Sequence, residues 1–155
     1  MPKSIKREPA LQPLSREHHH GLLLCWKIRE GLKRKVDPDR IKKYTDWFWE
    51  NNLVPHFKEE EKAVFPVLGN EHNLVKKALS EHRRLKRLFE EDVASLKTLG
   101  LIEEELDSHI RFEERVLFNK IQEVATRAQL EAITVHNEKE VTLDEWHDVF
   151  WNDVS

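Results

Sequence analysis

Cysteine is almost absent from this chain of 155 residues. Cys25 stands alone, so no internal disulfide can form. Glycine is scarce too, four in all, which excludes an all-β protein built on many tight turns. No apolar run approaches the roughly 20 residues of a membrane span. Neither sign of charge dominates: a net charge of -3 gives no reason to expect nucleic acid as a partner. The opening stretch, "MPKSIKREPALQPLS", has no apolar core and does not read as a secretory signal. With the lone cysteine, it points to a reducing cytoplasm.

What the chain does have is charge and helix-forming residues. Charged residues make up 35% and apolar residues 39%, which suits a helical domain with a thin core and well-solvated faces. The length is that of one domain, able to bury roughly two-thirds of its surface. A polar, Pro-containing arm is expected over 1–14, then helices over about 15–35, 38–68, 71–98 and 102–125. Asp37-Pro38 makes an N-cap and first-turn pair, Gly69-Asn70 a stop, and Gly100 a break. A short helix near 127–134 and a tail anchored by Trp146, Phe150 and Trp151 fill 126–155. Short links between four long helices predict an all-α, up-down-up-down four-helix bundle over 15–125. Pro55 interrupts the second helix, either bending it around the core or aiming His56.

One phrase occurs twice. "HFKEEEKAVFPVL" starts at His56 and "HIRFEERVLFNKI" at His109. Each has a histidine, a glutamate four places on, and a second glutamate after it. His56 and Glu60 fall on the apolar stripe of Ile41, Tyr44, Phe48, Val64 and Val67. His109 and Glu113 fall on that of Ile102, Leu106, Leu117, Ile121 and Val124. Helix 3 adds His82, beside the stripe Leu85, Leu88, Phe89 and Val93. Helix 1 carries "EHHHGLLLCW", where His18 lies about 40° from the apolar line and His19 is next. Bare buried carboxylates are costly and repel one another. A multiply charged cation removes that cost, and imidazole with carboxylate suits iron, manganese or zinc.

Bland readings account for the other candidates. Glu59 and Glu61 should lie in water, and His72, His136 and His147 on the surface or in the tail. Trp26, Trp47 and Trp49 should pack helix faces and shield the centre. Cys25 reads as a small packing residue, with redox chemistry the alternative.

"EH" at His18, "HxxxE" at His56 and Glu60, "EH" at His82 and "HxxxE" at His109 and Glu113 together resemble the hemerythrin-like, His-His-Glu cation-binding family. The likeness covers about residues 15–125. It implies a bundle enclosing two non-haem irons joined by an oxo or hydroxo group. Glu60 and Glu113 would bridge the irons, and His18, His56, His82 and His109 would be terminal ligands. Oxygen carriers of the family have a fifth histidine on helix 3, where this chain has Ala78 and Lys86. They also commonly place an aspartate five residues after the helix 4 histidine, where Glu114 stands. Four histidines and two glutamates look instead like the iron-repair, nitric-oxide-reacting and iron-sensing branches. The ligand implied is O2, NO or peroxide. Catalytic reduction would need an external electron donor, and iron repair an iron-accepting protein.

Overall fold

The computed structural model describes residues 6–136 and 146–152, with the side chain of His136 left out. Five helices account for most of the chain. Helix α1 is Gln12–Lys33. Helix α2 is one rod over 38–67: α-helical Pro38–Phe48 and Val54–Glu59, π-helical Trp49–Leu53 and Glu60–Val64, and a 3-10 turn Phe65–Val67. Helix α3 is Asn73–Phe89. Helix α4 covers 96–124, with the π turn Glu113–Leu117 between Leu96–Phe112 and Phe118–Val124. Helix α5 is Arg127–His136, and a 3-10 turn, Phe150–Asn152, ends the described chain.

Several ends follow from local chemistry. The Asp37 carboxylate accepts the Asp39 N–H at 2.9 Å, with Pro38 in the first turn, as expected. Gly69 takes φ +88°, a left-handed conformation that closes α2. His72 is half-buried and caps α3, its Nδ1 accepting the Leu74 N–H at 3.1 Å.

The helix boundaries depart from expectation in three places. The arm does not run to residue 14: α1 starts at Gln12, and Ala10, Leu11 and Leu14 are buried. Helix α3 does not reach residue 98. Its buried stripe ends at Phe89, and acidic Glu90, Glu91 and Asp92 follow at a helix C-terminus that disfavours negative charge. Val93, expected inside, is 74% exposed. Gly100 breaks nothing: Ser95 caps α4, its hydroxyl accepting the Thr98 N–H at 3.0 Å, and Gly100 lies in the second turn.

A Cβ at Gly100 would meet nothing within 4 Å, whereas one at Gly31 would lie 2.9 Å from both Ile41 Cδ1 and a Phe150 ring carbon. Gly100→Ala should therefore raise stability by about 0.5–1 kcal/mol. Gly31→Ala should lower it, because overpacking costs about 1–3 kcal/mol and outweighs the same propensity gain. Thermal melts of the two variants should shift in opposite directions.

The core is split in two. One apolar half holds Leu24, Ile28, Ile41, Phe57, Leu85 and Leu106, with others around them. The other holds Leu14, Val64, Phe65, Ala78, Leu117 and Ile121. Helices α1 and α3 run from the second half to the first, and α2 and α4 run back, which is the up-down-up-down order. Helix α5 covers the second half through Leu130 and Ile133. The tail covers the first: Phe150 is fully buried, Trp146 and Trp151 pack beside it, and Arg40 grips Asp148 at 2.6 and 3.0 Å. Between the halves, all four long helices place ionisable residues. Among the described residues no helix is long and apolar enough to cross a membrane.

Candidate metal centre

The layer between the apolar halves consists of His18 from α1, His56 and Glu60 from α2, His82 from α3, and His109 and Glu113 from α4. None is more than 4% exposed. The structure thus brings together all six residues singled out in the sequence. His19 is on the exposed face of α1, beside His20 rather than the centre.

The doubled phrase is doubled in geometry. His56 Nε2 lies 3.3 Å from Glu60 Oε2, and His109 Nε2 lies 3.3 Å from Glu113 Oε1. Each glutamate starts a π turn: the N–H of Phe65 donates to the Glu60 carbonyl, and that of Phe118 to the Glu113 carbonyl, five residues back in each case. Such turns cluster at functional sites. A third π turn precedes Pro55, where the Val54 N–H donates to the Trp49 carbonyl. The proline's irregularity is absorbed there, one turn before His56.

The imidazoles form two edge-on pairs, His18 with His56 at 4.7 Å and His82 with His109 at 4.9 Å between ring centres. The carboxylates stand between the pairs. Glu60 turns Oε2 to His18 at 3.4 Å and Oε1 to His82 at 3.2 Å. Glu113 turns Oε1 to His18 at 2.9 Å and Oε2 to His82 at 3.7 Å. Two overlapping groups result, His18-His56-Glu60-Glu113 and Glu60-His82-His109-Glu113. In each, one ligand atom per residue lies within 4.8 Å of the others, and either group could hold a metal ion.

The donors fit a cation better than they fit each other. Buried and without a hydrogen bond are Nε2 of His56, His82 and His109, both oxygens of Glu60, and Oε2 of Glu113. Buried polar atoms are ordinarily paired. Here the atoms without a hydrogen bond share one small volume, facing one another at ion-pair distance, and their types suit a transition metal.

Electrostatics respond to the crowding. Burial pushes the imidazoles down and the carboxylates up, and the facing opposite charges outweigh it. His18 and His82 stand well above the ordinary histidine value, His109 is raised, and His56 is raised to about 9. Glu60 falls to about 2 and Glu113 lies well below the usual carboxylate range.

Sequence reasoning missed an outer ring of carboxylates. His56 Nδ1 donates to Glu17 at 3.0 Å, His82 Nδ1 to Glu61 at 2.8 Å, and His109 Nδ1 to Glu81 at 2.8 Å. An ionised carboxylate only accepts, so each Nδ1 carries its proton. In a neutral ring that leaves the Nε2 lone pair facing inward. Glu61 is exposed, as expected, yet has this partner, and Glu59 is half-buried rather than in water. The sequence signal was the acidic neighbour: Glu17 and Glu81 in "EH", and Glu61 and Glu114 as the second glutamates.

Shielding comes from phenylalanines, not tryptophans. Phe57 stacks on His82 at 3.8 Å, Phe65 tilts toward it at 5.5 Å, and Phe118 stacks on His18 at 5.1 Å. Trp49 instead stacks on Phe89, Trp47 meets Trp146, and Trp26 is 40% exposed. Cys25 is buried in the apolar core, and burial pushes its thiol up to about 12, so it packs as a small apolar residue. His147 is exposed against Trp146, and the side chain of His136 lies outside the described residues.

The family model "Hemerythrin HHE cation binding domain" matches residues 10–121, which include all six residues of the centre. Neither the curated proteins nor the solved structures gave a match.

Proposed function

The chain belongs to the hemerythrin HHE cation-binding domain family, and from that premise we propose that it is a non-haem di-iron protein that binds or senses O2, NO or peroxide. The observation that supports this most is the set of buried ligand atoms, most of them without a hydrogen bond, that form two overlapping groups. In this reading His18 and His56 hold one metal, His82 and His109 the other, and Glu60 and Glu113 serve both. Manganese and zinc suit the same donors.

Bound iron would supply redox chemistry and coordination positions open to a small molecule. The chain's own residues do the rest. Glu17, Glu61 and Glu81 keep protons on the outer ring nitrogens, so the inner nitrogens face the metals. Phe57, Phe65 and Phe118 close the layer against water. That burial favours a diatomic molecule or peroxide over larger, strongly hydrated anions.

Elemental analysis of protein purified aerobically and under reductant should find about two metals per chain. The reduced protein should then show a stoichiometric absorption change with O2 or NO. Negligible transition metal in both preparations, or no spectral response to either gas, would sink the proposal. A second reading, iron handling for an accepting protein, gains support from His18, whose Nδ1 has no hydrogen-bond partner. Rapid loss of metal to a strong chelator favours iron handling, and retention favours sensing. Steady turnover with an added electron donor would mark a di-iron oxidoreductase instead.

A further inference from the structure

The outer ring has one loose corner. Three imidazoles donate through Nδ1 to carboxylates at 2.8–3.0 Å. The fourth should pair His18 with Glu114, by the rule that joins His82 to Glu61. Glu114 Oε1 is instead 3.7 Å from His18 Nδ1, and that buried nitrogen has no hydrogen-bond partner.

Glu114 is held elsewhere. Ser15 Oγ donates to its Oε2 at 3.0 Å, and Arg7 Nη2 stands 3.3 Å from the same oxygen. Arg7 also donates to the Glu114 carbonyl at 2.7 Å and to Asn119 and Gln122 at 3.2 and 3.1 Å. Gln122 in turn donates to the Lys6 carbonyl at 2.9 Å. The segment before α1 is thereby stitched to the end of α4, with its guanidinium over the Phe118 ring that stacks on His18.

An imidazole without an acceptor on its outer nitrogen is less firmly oriented toward a metal. Such outer partners commonly alter metal affinity about 10–100-fold. We propose that the two metal positions are unequal and that Arg7 and Ser15 make them so. By holding Glu114 off His18, they leave the His18–His56 position weaker and faster to exchange than the His82–His109 position. This rests on the metal-binding reading above. It assigns Arg7, Ser15 and Glu114 as positioning residues, acting through His18.

Zinc titration of metal-free protein tests it, followed by native mass spectrometry and by nitrogen NMR of 15N-labelled histidine. At one equivalent the one-metal species should dominate, and the Nε2 signals of His82 and His109 should move first. Those of His18 and His56 should follow with the second equivalent, at about ten-fold weaker affinity or more. Arg7→Gln combined with Ser15→Ala removes both holds on Glu114, lets it turn toward His18 and should narrow the gap, while Arg7→Lys alone, which keeps the charge and the Ser15 hydrogen bond, should retain most of it. Simultaneous loading of both positions, or loading of His18 and His56 first, overturns the inequality. An unchanged gap in the Arg7→Gln, Ser15→Ala double variant overturns the role of Arg7 and Ser15. Zinc failing to move any of the four histidines would defeat the metal-binding reading itself, and the inference with it.

Discussion

Glu60→Gln and Glu113→Gln should each remove metal from both positions, whereas His56→Ala should remove it from one. The two donor groups share both glutamates but no histidine. Glu60 directs one oxygen toward His18 and His56 and the other toward His82. Glu113 directs Oε1 toward His18 and His109 and Oε2 toward His82. Glutamine keeps the shape, removes the negative charge, and replaces one oxygen with an NH2 that cannot ligate. Each variant should lose at least the 10–100-fold in affinity that follows loss of an outer partner, at both positions. His56→Ala leaves Glu60, His82, His109 and Glu113 in place, so metal content should fall to about half.

The metal-free forms separate ligand loss from misfolding. Glu113 faces three imidazoles, and breaking a buried ion pair on one side costs about 3–5 kcal/mol unless the remaining group neutralises. Histidine can neutralise by losing its proton, so Glu113→Gln should keep its helical circular dichroism while its metal content collapses. A Glu60→Gln or Glu113→Gln protein that still holds two metals, or loses only one, would rule out the shared-carboxylate arrangement.

All six residues of the layer were legible because two rules sufficed. Apolar spacing near 3.6 set the inward face of each helix, and i, i+4 spacing set histidine and glutamate on it together. What escaped depended on contacts between helices or on a change of helical phase. Glu17 is next to His18 in sequence but about 100° away around the helix, and it serves His56 on the neighbouring helix. No rule within one helix could have paired them. Each π turn inserts an extra residue and rotates the stripe beyond it. Beyond the π turn of α4, Val124, expected inside, is 45% exposed, while Phe118 is fully buried. The same shift brings Phe118 against His18, a contact that the uniform period did not predict.

Metal should stabilise this chain far more at pH 9 than at pH 6. Burial lowers the pKa of His56, but the Glu60 and Glu17 carboxylates raise it further, to about 9 in the metal-free fold. In the unfolded chain a histidine titrates near 6.5. The stabilisation from this raised pKa is complete below about 6.5 and is lost as pH rises through about 9. His18, His82 and His109 shift in the same direction. Glu60, lowered to about 2, contributes above its unfolded value near 4.3 and loses that contribution as pH falls through 2. The metal-free chain should therefore be most stable between about pH 4.5 and 6.5, where imidazolium and carboxylate neutralise each other. A metal must displace those protons, so its affinity climbs over the range in which the metal-free fold weakens. Thermal melts at fixed free zinc should show a metal-induced rise in Tm that grows from pH 6 to pH 9. A metal-free chain that gains stability over that range would mean the imidazoles are neutral in its fold. The six residues would then be a preformed set of neutral imidazoles and carboxylates, not an ion-pair layer that metal converts.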